Sequence, residues 1–134
     1  MFCVESKGRS DIDIREIAAN MVAMTRAGDF HIGEKYWADD VISIEAMDGP
    51  MARVEGKAAA QGKTDWWSNA HEVHGTETFG PFVNGNQIAI RWTMDVTNKE
   101  SGQRMAMDEV ALYTIKDGKI AEELFFYDVP VTTG

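Results

Sequence analysis

The segment RMAMDEVALYTIKDGKIAEELFFYDV, residues 104–129, contains two strand-like runs joined by the turn signal Asp117-Gly118. Similar signals stand at Asn84-Gly85 and Ser101-Gly102, and each is typical of an antiparallel hairpin. The second half of the chain therefore predicts a meander of four strands. These strands are expected over residues 72–82, 87–97, 104–115 and 119–129.

The first half of the chain has helical patterns instead. Apolar residues recur at helical spacing between Ile14 and Thr25, after Ser10 or Asp11 as the capping residue. Helices that precede a strand meander predict an α+β domain, with the helices on one face of a bent sheet. The expected elements are a helix ending before Gly28, a short helix through Trp37, a strand over 41–47 and a helix over about 57–68.

Composition limits the classes of partner. Acidic residues outnumber basic ones by 22 to 13, and the net charge of -9 would repel nucleic acid and anionic membranes. The 134 residues suffice for one domain, predicted over 11–134 after a flexible leader at 1–10. The leader lacks the apolar run of a signal peptide, and no stretch is long and apolar enough for a membrane span. The predicted compartment is therefore the cytoplasm.

Apolar residues occupy both faces of the predicted strands. Phe125 and Tyr127 point to one side of the last strand, while Leu124 and Phe126 point to the other. A sheet with one face in water should alternate more cleanly between apolar and polar residues. We therefore expect helices to cover one face and a second copy of the chain to cover the other, in a homodimer.

Three groups of motifs together resemble one protein family over residues 12 to 129. They are YWADDV at 36–41 with VEGK at 54–57, DVT at 95–97 with SGQR at 101–104, and DEVALY at 108–113 running to DGKI at 117–120 and FFYD at 125–128. The family is the SnoaL-like branch of the nuclear transport factor 2-like superfamily. The resemblance implies a cone-shaped, strongly bent antiparallel sheet with about three helices packed on its concave side. Members of the superfamily include isomerases, polyketide cyclases, epoxide hydrolases, dehydratases and proteins without catalysis.

The resemblance also implies which side chains face the inside of the cone. Within each strand these residues are two or four positions apart, as strand alternation requires. His74 joins the set if its strand keeps register. The other implied pocket residues are Ser43, Glu45, Trp92, Met94, Met107, Glu109, Glu123, Phe125 and Tyr127.

Two of these residues are the candidate catalytic groups. Glu45 matches the carboxylate general base of the superfamily's steroid isomerases, and Glu109 falls at or next to their protonated oxyanion-stabilising acid. A carboxyl buried among aromatic and methionine side chains should have a raised pKa. One departure is that the tyrosine donor of those isomerases aligns near Met21, which cannot donate, so Tyr127 is the candidate replacement.

Other chemistry has less support in the sequence. His71 and His74 are three positions apart on a strand and point to opposite faces, so they cannot hold one metal ion together. No metal or cofactor is implied, because proton transfer by side chains requires none. The sequence thus favours binding of a hydrophobic small molecule, with isomerase- or cyclase-like proton transfer by Glu45 and Glu109. The alternative is a non-catalytic ligand-binding or dimerisation module of the same fold.

Overall fold

The computed structural model describes residues 13–128, which form three helices on one six-stranded sheet. The helices are α1 (Ile14–Arg26), α2 (Ile32–Tyr36) and α3 (Lys57–Ala70). The strands are β1 (Trp37–Ile44), β2 (Arg53–Glu55), β3 (His71–Asn84), β4 (Gln87–Asn98), β5 (Arg104–Lys116) and β6 (Lys119–Phe126). They lie in the order β2-β1-β6-β5-β4-β3. The predicted α+β class is confirmed.

The first helix carries the predicted apolar stripe. Its N-cap is Asp13, whose carboxylate accepts a hydrogen bond from the backbone N–H of Arg15 at 2.9 Å. The expected caps Ser10 and Asp11, like the leader, lie outside the described residues. The helix packs on β3, and the side chains on its inner face are buried. They are Ile17, Ala18, Met21, Val22 and Thr25.

The first strand differs from the prediction in position and direction. It begins at Trp37, which was expected to be helical, and ends at Ile44. Gly33 allows this early start, because a Cβ there would lie 2.2 Å from the Trp37 ring. β1 pairs in parallel with β6, whereas every other strand pair of the described sheet is antiparallel. A parallel pair needs a long crossover, and α3 with β3, β4 and β5 supplies it.

The predicted hairpins form where the turn residues stand. At the β5–β6 turn, Asp117 has a φ of 53° and Gly118 a φ of 77°. Positive φ at both central residues is the geometry of the type I′ turn that matches strand twist.

Within residues 13–128, none of the helices has the length and apolar character that a membrane span requires.

The two faces of the sheet have different surroundings. On the face under the helices, Ile88, Ile90 and Ile120 are completely buried. On the opposite face, Phe82 is 62% exposed and Phe126 is 50% exposed. The helices therefore cover one face of the sheet, here called the covered face, and leave large apolar groups exposed on the other, the open face.

Candidate functional site

Strand register places the predicted pocket residues relative to one another. Trp92 of β4 lies directly opposite Glu109 of β5, and Met94 lies opposite Met107. Directly opposite residues of neighbouring strands project from the same face of a sheet. Trp92 is 3% exposed, so this shared face is the covered one.

The same register continues into β6 and β1. Tyr113 lies opposite Glu123, and Ala111 lies opposite Phe125. Across the parallel pair, Ser43 is the partner of Glu123. Polar groups from three strands therefore converge beneath α3, at residues that are far apart in the sequence.

Glu45 lies just beyond the end of β1 and is held by two side chains. The Lys63 ammonium is 2.7 Å from its Oε2, and the Tyr127 hydroxyl donates to its Oε1 at 2.7 Å. Its backbone N–H donates to the Ala52 carbonyl at 2.8 Å, which fixes the chain at this point. Both carboxylate oxygens of Glu45 thus have a defined donor, one of them charged.

Glu123 forms the second half of the same network. Its Oε1 accepts from the Trp37 indole N–H at 3.0 Å, and its Oε2 accepts from the Ser43 hydroxyl at 2.7 Å. Ser43 in turn accepts from the Lys63 ammonium at 2.5 Å. Burial raises the pKa of Glu123, and the Ser43 and Trp37 hydrogen bonds offset part of that rise.

Glu109 has a different environment from the other two carboxyls. Burial raises its pKa from the ordinary 4.5 to about 7, the negative charge of Glu45 adds to the rise, and the positive charge of Lys63 opposes it. A pKa near 7 means that both protonation states are populated at neutral pH. Such a group can give or take a proton under physiological conditions.

The two tyrosines of the site remain hydroxyl donors at neutral pH. Burial raises the pKa of Tyr127, and its hydrogen bond to Glu45 raises it further. Burial also raises the pKa of Tyr113, which lies opposite Glu123. Neither phenol can therefore serve as a base, but each can donate to an oxygen atom.

Trp92 has an unusual hydrogen-bonding status. Its ring packs edge-on against Phe30, with 5.8 Å between ring centroids. Its buried indole N–H has no hydrogen-bond partner within residues 13–128. A buried unpaired donor is uncommon in native proteins.

The structure places His74 outside the site, contrary to the sequence prediction. The register of β3 against β4 shifts between Val73 and Gly75, so a bulge reorients the intervening residue. The His74 ring instead contacts the Thr97 hydroxyl at 2.7 Å and is exposed. Its assignment to the pocket depended on an unbroken register, and that assignment is wrong.

Sequence reasoning missed two residues of the network, Lys63 and Trp37. Lys63 is 8% exposed although lysine is rarely buried. Its helical spacing from Ala60 and Trp67 was the available signal, because residues at i, i+3 and i+7 share one helix face. Trp37 was placed in a helix, which hid its role as a strand residue.

A separate groove of about 410 Å³ lies at the other end of β1 and β6. It is lined by Ala38, Asp40, Ile42, Lys116, Asp117, Lys119 and Ala121. None of the three converging carboxyls lines it, and its acidic and basic side chains are balanced. We therefore assign the candidate site to the covered face and not to this groove.

Replacing Trp37 by Phe tests the network structurally. The change removes the N–H that donates to Glu123, leaving a buried carboxylate oxygen without that donor. We expect a loss of about 1–3 kcal/mol in the free energy of unfolding, measured in urea at pH 7. Trp66→Phe is the matched control, because Trp66 is 55% exposed. Equal effects of the two changes would contradict the assignment.

Comparison with known proteins places the chain in a family. The sequence model of the SnoaL-like domain matches residues 12–127, and the chain belongs to that family. A search of curated proteins gives no match.

Solved structures agree with this assignment. A candidate SnoaL-like polyketide cyclase, also labelled carbohydrate phosphatase, from Mesorhizobium loti is 51% identical, with a TM-score of 0.83 over 87% of this chain and 100% of that chain. Another candidate SnoaL-like polyketide cyclase, from Jannaschia sp. CCS1, is 17% identical, with a TM-score of 0.69 over 92% of each chain. A Catenulispora acidiphila protein with a ketosteroid isomerase-like fold is 16% identical, with a TM-score of 0.67 over 85% of this chain and 86% of that chain.

Proposed function

We propose that this protein binds a hydrophobic small molecule under its helices and catalyses cofactor-independent proton transfer of the isomerase or cyclase type. The observation that carries the proposal is the pair of unlike carboxyls. Glu45 is held by an ammonium and a phenol hydroxyl, while the pKa of Glu109 is about 7. Two carboxyls in unlike environments can divide the roles of base and acid.

The proposed step begins with a carbonyl compound. The Glu45 carboxylate removes a proton from the carbon next to the carbonyl, and the electron pair of that C–H bond moves into a new C=C bond. The carbonyl oxygen becomes an oxyanion, to which protonated Glu109 donates a hydrogen bond. In a ligand with a β,γ C=C bond, Glu45 returns the proton to the γ-carbon, the electron pair moves back to re-form the C=O bond, and the double bond ends in the α,β position. Glu45 is then again a carboxylate, and Glu109 has kept its proton throughout.

The lining of the site supports a hydrophobic ligand. Trp92 and Met94 on β4 share the covered face with Met107 and with Phe125 of β6. Aromatic and methionine side chains adapt to flat or irregular apolar molecules. Relatives named as candidate polyketide cyclases or as isomerase-like in fold are consistent with such ligands.

Deuterium exchange tests the proposed chemistry directly. Cyclic ketones and polyketide-like enols are incubated with the protein in D₂O, and exchange at the carbon next to the carbonyl is followed by NMR. We expect the protein to accelerate exchange for at least one ligand that it binds. Binding without any exchange across the panel would reject catalysis and favour the alternative, a non-catalytic module of the same fold.

The open face of the sheet favours a role in dimerisation, with or without catalysis. Phe126 lies beside Val110, which in turn faces Arg91 across β5 and β4. Arg91 forms two hydrogen bonds with Asp108, at 2.9 and 2.8 Å, within the same face. Apolar groups interspersed with paired charges are typical of the surfaces that homodimers bury, and the proposed partner is a second copy of this chain.

The proposed dimer can be tested with a charge in the open face. Phe126→Glu would place a carboxylate where an apolar contact is proposed, so we expect a dimer to become a monomer in sedimentation at tens of micromolar protein. The matched control is Trp66→Glu, which changes an exposed aromatic residue of α3. A monomeric parent protein at high micromolar concentration would reject the dimer.

A further inference from the structure

The proposed proton transfer gives roles to Glu45 and Glu109 but none to Lys63, the buried lysine of α3. Within α3 the buried residues are Ala60 and Lys63, so the face that packs on the sheet presents a cation. Burying an ammonium is costly unless it is paired and hydrogen-bonded. The chain meets that requirement with Glu45 and Ser43, two polar partners inside the candidate site, and this placement points to a role beyond packing.

The contacts of Lys63 join the helix to the centre of the site. Its Nζ lies 2.7 Å from Glu45 Oε2 and 2.5 Å from Ser43 Oγ, and 5.2 Å from the centroid of the Phe125 ring. Its two polar contacts belong to β1 and the residue just after it, and its aromatic contact to β6. Through Ser43 the ammonium is also linked to Glu123. One side chain thus restrains two of the three carboxyls.

The Lys63 ammonium also offsets the negative charge of the carboxyls in the site. Three carboxyls face the site, and Lys63 is the one cation within residues 13–128 that forms an ion pair with any of them, namely Glu45. Its charge also opposes the rise that burial causes in the pKa of Glu109 and of Glu123. Without it, like charges would be left close together in a region with little water. The titratable groups that interact with the Lys63 charge are Glu45, Glu109 and Glu123. Two tyrosines adjoin these carboxyls: Tyr113 lies opposite Glu123, and Tyr127 donates to Glu45.

We propose that Lys63 is a positioning residue of the proton-transfer site, which orients the Glu45 carboxylate and supplies the positive charge that the converging carboxyls share. The inference rests on the proposed function, since positioning matters only if Glu45 accepts a proton. It makes the helix α3, and not only the sheet, part of the reactive arrangement. Lys63 acts through Glu45 and does not itself exchange a proton with the ligand.

The first test measures charge without requiring activity. The carboxyl ¹³C signal of Glu109, assigned with Glu109→Gln, is titrated in the parent protein, Lys63→Met and Lys63→Arg. Loss of the ammonium should raise the titration midpoint of Glu109 by about one pH unit, and the arginine variant should keep it near the parent value. Where Lys63→Met does not fold, Lys63→Gln takes its place, because its amide can still donate to Ser43. The proposal is overturned if Glu109 has the same titration midpoint in Lys63→Met as in Lys63→Arg and the parent protein.

The second test asks whether Lys63 acts through Glu45. In the exchange assay, Lys63→Met should lower kcat at least tenfold, move the acidic limb of the pH profile and leave KM nearly unchanged. Combined with Glu45→Gln it should cost little more than Glu45→Gln alone, because residues acting as a unit are not additive. Full additivity overturns the positioning role. A parent protein without exchange rejects the proposed function instead, and the Glu109 titration then decides the electrostatic role of Lys63 by itself.

Discussion

Replacing Glu45 by Gln is expected to lower the rate of proton exchange about 10²- to 10⁴-fold, because the amide cannot accept the proton. The change preserves the shape of the side chain, so binding of the apolar ligand should persist. The amide oxygen can accept from the Lys63 ammonium in place of Oε2, and the amide N–H can donate to the Tyr127 hydroxyl. Exchange rates and ligand affinity are measured on the same protein samples to separate the two effects.

Glu55→Gln is the matched control for this experiment. Glu55 lies on β2, beside β1, and its side chain is 62% exposed. The Glu55→Gln protein should catalyse deuterium exchange of the ligand at the parent rate. A Glu45→Gln protein that exchanges as fast as this control would eliminate Glu45 as the base.

The second large effect concerns stability and pH. The pKa of Glu109 is about 7 in the folded protein, against an ordinary value of 4.5. The folded state therefore holds its proton more tightly than the unfolded state does. The stability associated with this proton is fully present below pH 4.5 and is lost as the pH rises through 7. This rise in pKa corresponds to about 3 kcal/mol in the free energy of unfolding.

Glu109→Gln should remove most of that pH dependence. Urea unfolding at pH 5 and pH 8 should show the parent protein losing stability between the two, while the variant loses much less. A smaller slope should remain, since burial also raises the pKa of Glu123. Glu77→Gln is the control, because Glu77 is an exposed carboxylate that accepts a hydrogen bond from the Thr93 hydroxyl. This variant should keep the pH dependence of the parent protein. Identical slopes for parent and Glu109→Gln would contradict the raised pKa.

Those parts of the fold that depend on regular local patterns could be predicted from the sequence. The apolar stripe of α1 and the Asp117-Gly118 turn depend on neighbours within a few residues, so the sequence contains the whole signal. Period-two alternation likewise sets Trp92 and Met94 on one side of β4. The resemblance added Glu45 and Glu109, which the structure brings into one region by way of Lys63 and the strand register.

Interruptions of regular patterns explain what the sequence did not predict. The bulge at His74 moves that side chain to the open face. Gly75 was the available signal, because a glycine inside a strand often marks a bulge, but it does not say which neighbouring residue is left unpaired. The start of β1 at Trp37 depends on the close approach of its indole to Gly33 and on the acceptor at Glu123. Neither partner can be recognised from the letters around Trp37.

The sequence by itself determined the class of fold, the hairpins and the alternation of the strands, because each of these depends on contacts between near neighbours. Tertiary structure alone decided the parallel pairing of β1 with β6 and the burial of Lys63. The cation is stable there because Ser43 of β1 and Glu45, just after that strand, supply its partners. Long-range packing also removes water from Glu109, and that desolvation raises the pKa of an ordinary glutamate to about 7.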